Sequence, residues 1–243
     1  MQRTTIRKLL ILLFWLAVWH IASLLLDNSL ILVGPLDTAK SLVTLAATKD
    51  FWASILSSFL RIGTGFFGAF FAALLFAVLA YYIPLVGEFL DPLVLLMKSI
   101  PVASFVILAL IWIGSKNLAV FISASVVFPV IYINTAAGLR SVDKNLLEMA
   151  QVFRFRPLNR LRYLYLPAVM PYLVSASKSA LGMSWKSGVA AEVIGVPDSS
   201  IGEQLYMAKI YLSTGDLFAW TFVIICVSLL FEKCFLWVLS KIH

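Results

Sequence analysis

Long apolar stretches separated by short polar ones constrain the fold of this chain more than any other feature. Residues 9–26, 62–87 and 117–139 contain no Lys, Arg, Asp or Glu over 18, 26 and 23 positions. A helix needs about 20 such residues to cross a bilayer. Only 13% of the chain is charged and 62% is hydrophobic, which excludes an ordinary water-soluble domain. The sequence therefore predicts an all-α, polytopic membrane protein.

Three further stretches bring the predicted number of transmembrane helices to six. The first, 99–115, is 17 residues long and extends backwards through 93–97 past Lys98. The other two, 164–194 and 217–239, are interrupted by ionisable residues, namely Lys178, Lys186, Glu192, Glu232 and Lys233.

No shift in composition divides the chain, so a single domain covering residues 1–243 is predicted. Within it, apolar residues recur at helical spacing between positions 36 and 49. We expect a short amphipathic helix there, over about 35–50, on the outer surface of the membrane.

The distribution of basic residues predicts the orientation. With both termini in the cytoplasm, eleven Lys and Arg residues flank the spans on the inside and four on the outside. Cytoplasmic loops carry this excess in membrane proteins, and the net charge of +7 needs no nucleic-acid partner to explain it. The eleven are Arg3, Arg7, Lys8, Lys233, Lys241 and six within residues 140–162, and the four are Lys40, Lys49, Lys116 and Lys209.

Residues 140–162, called the basic segment below, are the longest polar interruption between apolar runs. Their sequence is RSVDKNLLEMAQVFRFRPLNRLR, with six basic residues and two acids. The composition fits either a helix lying on anionic lipid or a surface that contacts another protein.

A short helix is predicted over residues 143–156 of the basic segment. Asp143 or Asn145 is suited to cap its start, with Glu148 three residues after Asn145. Pro157 would end it, because proline cannot continue a helix. The apolar residues expected to share one face are Leu146, Leu147, Ala150 and Phe153.

The order of motifs along the chain resembles that of ABC importer permeases. Glu148-Met149-Ala150, a basic stretch and then Leu166-Pro167 before a span is similar to their signature loop. The subgroup it resembles includes permeases for nitrate, taurine, alkanesulfonates and pyrimidine precursors of thiamine. The resemblance runs from about residue 30 to the C-terminus, and its other pieces are Ser58-Phe59-Leu60-Arg61, Leu90-Asp91-Pro92-Leu93, Ser99-Ile100-Pro101, Ile111-Trp112-Ile113-Gly114, Phe128-Pro129, Gly138-Leu139-Arg140, Pro171-Tyr172 and Ala191-Glu192.

The resemblance implies a six-helix permease of the type I importer fold in the cytoplasmic membrane of a prokaryote. Its partners would be a cytoplasmic ATPase dimer, a second permease copy forming a homodimer, an extracytoplasmic solute-binding protein and membrane lipids. The chain lacks the phosphate-binding pattern G-x-x-x-x-G-K-[ST]. We therefore expect no catalysis and no cofactor in this chain, ATP and Mg²⁺ being used by the ATPase. The solute expected is a small organic or inorganic anion or a vitamin precursor.

In that family the signature loop is a coupling helix that sits in a groove of the ATPase. The resemblance thus implies a coupling role for residues 143–160. One departure is that Arg154 stands where the signature has Gly, and Arg favours a continuing helix where Gly would allow a sharp turn. The implied coupling residues are Asp143, Leu147, Glu148, Ala150, Phe153, Arg154 and Arg156.

Ionisable side chains at membrane depth are costly and usually face protein or water. Lys98, Lys186 and Glu192 are therefore predicted as possible residues of the translocation pathway. Lys98 could instead extend to the membrane surface. Lys186 and Glu192 are six residues apart and do not share a helix face, so each would contact other helices or line the pathway.

Small residues recur at every fourth position in two spans, which brings them onto one helix face. Such stripes allow close approach of helix backbones. Packing within the subunit is the favoured interpretation, with a subunit interface or a pore wall as the alternative. The stripes are Gly65, Ala69, Ala73 and Ala77 in the second span, and Ala176, Ala180, Ser184 and Gly188 in the fifth.

Two other classes of function compete with an ATP-driven importer. A secondary transporter or channel would need its own coupling-ion site and often has inverted repeats, neither of which is visible. An intramembrane enzyme would need convergent acid, base or metal-binding groups, and the ionisable residues here are scattered singly.

Overall fold

The structure, a computed structural model, describes residues 2–26, 28 and 30–241, with side chains from residue 6 onward. Within these residues the chain forms eleven α-helices and one π-helical turn, Leu161–Tyr165. The helices are α1 (Gln2–Leu26), α2 (Pro35–Ala46), α3 (Lys49–Tyr82), α4 (Pro84–Ser99), α5 (Val102–Ile113), α6 (Ser115–Arg140), α7 (Lys144–Val152), α8 (Pro157–Arg160), α9 (Leu166–Gly195), α10 (Ile201–Ile210) and α11 (Thr214–Ser240).

Among the described residues, four helices are long and apolar enough to cross a membrane: α1, α3, α6 and α11. Helices α4 and α5 reach that length only together, and they are bent by 109° at their junction. Helix α9 has 30 residues but carries Lys178, Lys186 and Glu192. The all-α membrane fold is confirmed, whereas the count of six spans stays a prediction.

The prediction of one continuous helix over 93–115 is wrong. The sequence joined 93–97 to 99–115, but the chain leaves the helix at Ile100 (φ −73°, ψ 128°) and Pro101. Proline has no N–H to donate and disfavours helical angles in the residue before it. Helix α4 begins at Pro84, a favourable first position for proline because its missing N–H is not needed there.

Helix α6 lies at the centre of the bundle between α3 and α9. A Cβ atom on Gly65 would collide with the Val120 carbonyl of α6. One on Gly188 would lie 2.7 Å from both Ile62 and Ser123. Both small-residue stripes are buried along their whole length. Their interpretation as packing surfaces within the subunit is confirmed.

Contacts between helices show their relative directions. Gly65 lies against Val120 in the first halves of α3 and α6. The ring of Tyr81, near the end of α3, is 5.8 Å from that of Tyr165, just before α9. Gly138, near the end of α6, meets Val169 at the start of α9. Helices α3 and α6 therefore run in the same direction, and α9 runs in the opposite one. The basic segment connects the end of α6 to the start of α9 at one end of the bundle, called the basic end below.

The opposite end holds α2, α10 and the start of α11. The ring of Phe51 in α3 is 4.9 Å from that of Trp220 in α11. Helix α1 is attached here through Trp19, whose Nε1 donates to the Val33 carbonyl at 3.0 Å and whose ring stacks on Phe218 at 5.7 Å. Helix α2 lies within the segment predicted as amphipathic, and its place on the outer surface stays a prediction.

The Lys and Arg residues that predict the orientation form two groups, one toward each end of the bundle. Lys233 and Lys241 lie in the second half and at the end of α11, toward the basic end, and Arg7 and Lys8 lie at the end of α1 remote from Trp19. Arg3, part of the predicted cytoplasmic set, lies outside the described side chains. The remaining four, Lys40, Lys49, Lys116 and Lys209, belong to the opposite end.

Candidate functional site

The basic segment forms a capped helix followed by a sharp turn. The Asp143 side chain caps α7 by accepting a hydrogen bond from the Asn145 N–H at 2.8 Å. Helix α7 ends at Val152, so the predicted helix over 143–156 is too long. Pro157 does not end it. Proline is instead the first residue of α8, a position where its missing N–H is harmless.

The end of α7 is a Schellman motif, in which the residue after the C-cap is left-handed. Arg154 occupies that position with φ 50°. The Phe155 N–H donates to the Ala150 carbonyl at 2.9 Å, and the Arg154 N–H donates to the Gln151 carbonyl at 3.1 Å. The expectation that Arg would continue the helix is wrong. The turn that Gly would make is made here by Arg, and these two hydrogen bonds stabilise it.

The two sides of α7 have different surroundings. Ala150 is fully buried in a small cluster with Val142 and Leu164, and Leu147 packs against that cluster. Phe153 is 70% exposed. The prediction that Leu146, Leu147, Ala150 and Phe153 share one face is therefore wrong, because Leu146 is exposed as well. Ala150 supports the helix from inside, and the partly buried Leu147 packs beside it.

The exposed side of the basic segment combines apolar and basic groups. Val152 is 78% exposed, next to Phe153, and the side chains of Arg154 and Arg156 are exposed beside them. Glu148 and Asp143 are exposed as well. Arg160 is different, since its Nη2 donates to the Ala150 carbonyl at 3.3 Å and so stabilises the end of α7. An exposed aromatic side chain followed by two exposed arginines suits a protein surface with an apolar pocket and an acidic rim.

Lys98 and Lys186 are both exposed in the structure. Lys98 is in the last turn of α4, immediately before the break at Ile100, where a cation is favoured by the helix dipole. Lys186 projects from α9 on the side away from buried Trp185 and Gly188.

The exposed face of α9 is unusually polar for a helix within an apolar bundle. Its exposed residues recur at spacings of three and four, so they form one stripe. Lysine facing lipid at membrane depth is unfavourable. This face therefore belongs against water or another subunit. Its members are Ser175, Lys178, Ser179, Met183, Lys186 and Ala190.

Glu192 does not lie on that stripe, and of the two alternatives predicted for it, contact with other helices is the one observed in the subunit. The side chain has no exposed surface. Its Oε2 accepts hydrogen bonds from Ser58 Oγ at 2.7 Å and from the Gly202 N–H at 3.3 Å. Arg61 Nη1 lies 3.9 Å from Oε1. These residues, called the Glu192 cluster below, join α3, α9 and the start of α10.

The comparison with known families agrees with this architecture. Residues 65–240 match the family described as "Binding-protein-dependent transport system inner membrane component". The chain belongs to this family of membrane transport permeases, and the resemblance noted from its motifs is confirmed. It is a permease of the ABC importer class, a multi-pass membrane component rather than a catalytic subunit.

The chain is also similar to individual permeases of this family. Over 207 residues the chain is 27% identical to the putative aliphatic sulfonates transport permease protein SsuC of Bacillus subtilis, covering 84% of this chain and 74% of that protein. Over 223 residues it is 26% identical to the taurine transport system permease protein TauC of Escherichia coli, covering 88% and 80%. The crystal structure of an amino acid ABC transporter with histidines has the same fold, with a TM-score of 0.51, 20% identity and coverage of 77% and 88%.

Sequence reasoning missed the partners of Glu192. Ser58 is 134 residues away from it along the chain, so no local spacing connects them. Arg61 follows Ser58 by three residues on α3 and therefore shares its face. This spacing could have predicted that both residues contact Glu192 only if one of them was already known to do so.

Proposed function

We propose that the basic segment is the surface on which a cytoplasmic ATPase docks on this importer permease. The observation that carries the proposal is the exposed Phe153 beside Arg154 and Arg156, presented by a helix whose other side is buried against the subunit. A helix whose only role was to lie on lipid would bury its apolar side in the membrane. Here Leu147 and Ala150 pack against the subunit, and the most exposed apolar residues of α7 and its C-cap are Val152 and Phe153, at the end of the helix.

The proposed orientation places the basic end in the cytoplasm. The basic segment and the end of α11 both lie toward this end, and their Lys and Arg residues outnumber those of the opposite end. The positive-inside tendency supports both termini being cytoplasmic. Helices α2 and α10 would then face the extracytoplasmic side, where the binding protein of such a system delivers solute.

The proposed pathway runs between two copies of the chain along the polar stripe of α9. Lipid is an unfavourable surrounding for Lys186 and for the serines of this stripe, so these side chains should face water or the second copy. Two copies facing each other would place these groups around a watery passage. Two relatives are permeases for aliphatic sulfonates and taurine. A lysine on the passage is consistent with a solute that carries an anionic group.

Transport in this proposal is driven by the partner. The ATPase binds ATP and Mg²⁺ and moves the docked basic segments. The π-helical turn Leu161–Tyr165 connects directly to α9. A displacement of α7 and α8 is thereby passed to α9 and to the stripe that lines the pathway. This chain contributes rigid-body motion and the passage itself.

The experiment that tests the docking surface is a double charge reversal, Arg154→Glu with Arg156→Glu. In the complete transporter we expect ATPase co-purification and ATP-dependent uptake to fall at least about ten-fold, because like charges would meet at the acidic rim. The matched control reverses two exposed lysines elsewhere toward the basic end, Lys233→Glu with Lys241→Glu. Unchanged co-purification and uptake in the arginine variant would refute the docking surface.

A further inference from the structure

The Glu192 cluster satisfies the free N–H groups at the start of α10. The first two belong to Ile201 and Gly202. Ser58 Oγ accepts from the Ile201 N–H at 2.9 Å, and Glu192 Oε2 accepts from the Gly202 N–H at 3.3 Å. Ser200 caps the third by accepting from the Glu203 N–H at 3.0 Å. Because helix N-termini are electropositive, the carboxylate of Glu192 stabilises α10 in this position.

Arg61 fixes the connection that leads into α10. Its Nη2 donates to the Asp198 carbonyl at 3.0 Å, while Nη1 lies 3.9 Å from Glu192 Oε1. Among the described residues, neither Nη1 nor Oε1 has a hydrogen-bond partner. A buried ion pair with such incomplete bonding adds little to stability compared with apolar residues. Its effect is on position, since it holds α3, α9 and the 196–200 connection in one arrangement.

The backbone on both sides of α10 is strained. Val196 and Ser199 precede the helix with φ 46° and 51°, and Leu212 follows it with φ 55°. A left-handed conformation is unfavourable for residues other than glycine, most of all for β-branched valine. Such conformations persist only where surrounding contacts impose them. The Glu192 cluster provides those contacts at the start of α10.

Steric fit makes the arrangement specific. A Cβ atom at position 202 would collide with Glu192 Cβ and with the α9 backbone, so only glycine permits this approach of α10. Ile201, next to it, is fully buried with Phe51, Trp220 and Val223. The start of α10 is thus attached to α9 by a polar contact, to α3 by both polar and apolar contacts, and to α11 by apolar contacts.

Helix α9 is continuous from the basic end to this cluster. Its 30 residues span about 45 Å at 1.5 Å per residue. We propose that Glu192 is a positioning residue that makes α10 move with α9 and α3. A displacement delivered to α9 through the basic segment then moves α10 at the opposite end of the bundle. This proposal rests on the proposed function for one step, the delivery of the displacement by a docked ATPase.

The first measurement asks whether Glu192 holds α10. Spin labels at the exposed positions Leu56 of α3 and Met207 of α10 report their separation in the full chain, with both free cysteines changed to serine. We expect one narrow distance distribution in the parent protein. Glu192→Gln should broaden it or add a second population, because the amide loses the ion pair with Arg61. Distributions that match the parent would overturn the proposal, and this result does not depend on an ATPase.

The second measurement asks whether the attachment transmits motion. It is the ratio of ATPase activity with and without the binding protein in the assembled complex. For Glu192→Gln and Ser58→Ala we expect the ratio to fall at least about ten-fold, the lower end of the range for a lost hydrogen bond to a charged group. Basal activity and complex yield should stay unchanged. A purely structural role would lower the yield and leave the ratio of the surviving complex intact, which would also overturn the proposal.

Two variants keep the test decisive. Ser58→Ala keeps both charges and removes one hydroxyl, so it gives a result even if Glu192→Gln fails to assemble. Glu203→Gln is the matched control, a charge removal on α10 one residue beyond Gly202. A ratio that falls equally in this control would contradict the assignment to Glu192. If the basic segment proved not to dock an ATPase, the label distances would still respond to Glu192→Gln.

Discussion

Replacing Arg154 by glycine tests how the end of α7 is held. Arg154 is left-handed at φ 50°, and this conformation costs a residue with a Cβ atom roughly 1–2 kcal/mol. Glycine avoids that cost but loses roughly 0.5–1 kcal/mol more chain entropy than alanine on folding. Subtracting the lower end from the lower end and the upper end from the upper end, Arg154→Gly should hold the turn more stably than Arg154→Ala by about 0.5–1 kcal/mol.

The comparison with alanine isolates the backbone, because both variants lose the same guanidinium. Hydrogen–deuterium exchange is the assay, read on peptides that contain the Phe155 amide, which donates to Ala150 in the folded turn. We expect roughly two- to five-fold slower exchange in Arg154→Gly than in Arg154→Ala, from the same free-energy difference. Equal exchange in the two variants, or faster exchange with glycine, would refute the strained-turn reasoning.

Two further predictions concern the core and the pathway. Gly65→Ala should lower the free energy of unfolding by about 1–3 kcal/mol because its Cβ meets the Val120 carbonyl. Gly68→Ala, with nothing within 4 Å, should be neutral or slightly stabilising, and similar unfolding temperatures for both in detergent would contradict the packing. Lys186→Gln should reduce uptake of an anionic solute about five-fold, from the roughly 1 kcal/mol between charges 4 Å apart in water. Lys186→Arg should restore it, and full uptake by the glutamine variant would remove Lys186 from the pathway.

Membrane spans were predictable from the sequence where apolar length alone decides. Helices α1, α3 and α6 follow from runs of uncharged residues, α11 follows from an apolar run despite Glu232 and Lys233, and the stripes at Gly65 and Gly188 follow from spacing. The bend at Ile100 and Pro101 was not predicted, although proline is a strong local signal. Apolar residues continue on both sides of the bend, so the hydropathy pattern predicts one helix where the structure has two, α4 and α5.

The candidate site was only partly predictable, for a different reason. Asp143 as a cap is a local property and could be read from its neighbours. The left-handed Arg154 contradicts local preference, because hydrogen bonds to Ala150 and Gln151 outweigh the propensity of one residue. The role of Glu192 depends on Ser58 and Gly202, which tertiary folding brings together. Charge at membrane depth indicated its importance but not whether it faces a pathway or the core.

Helix α1 has a consequence for how the protein is made. None of its apolar window is buried against the rest of the described chain, and Trp19 provides its main attachment. Its entry into the bilayer is therefore governed by lipid, with about −0.3 to −0.6 kcal/mol for each Leu, Ile, Phe or Val near the middle. Because α1 is synthesised before α3, α6 and α9, its insertion does not depend on packing against them.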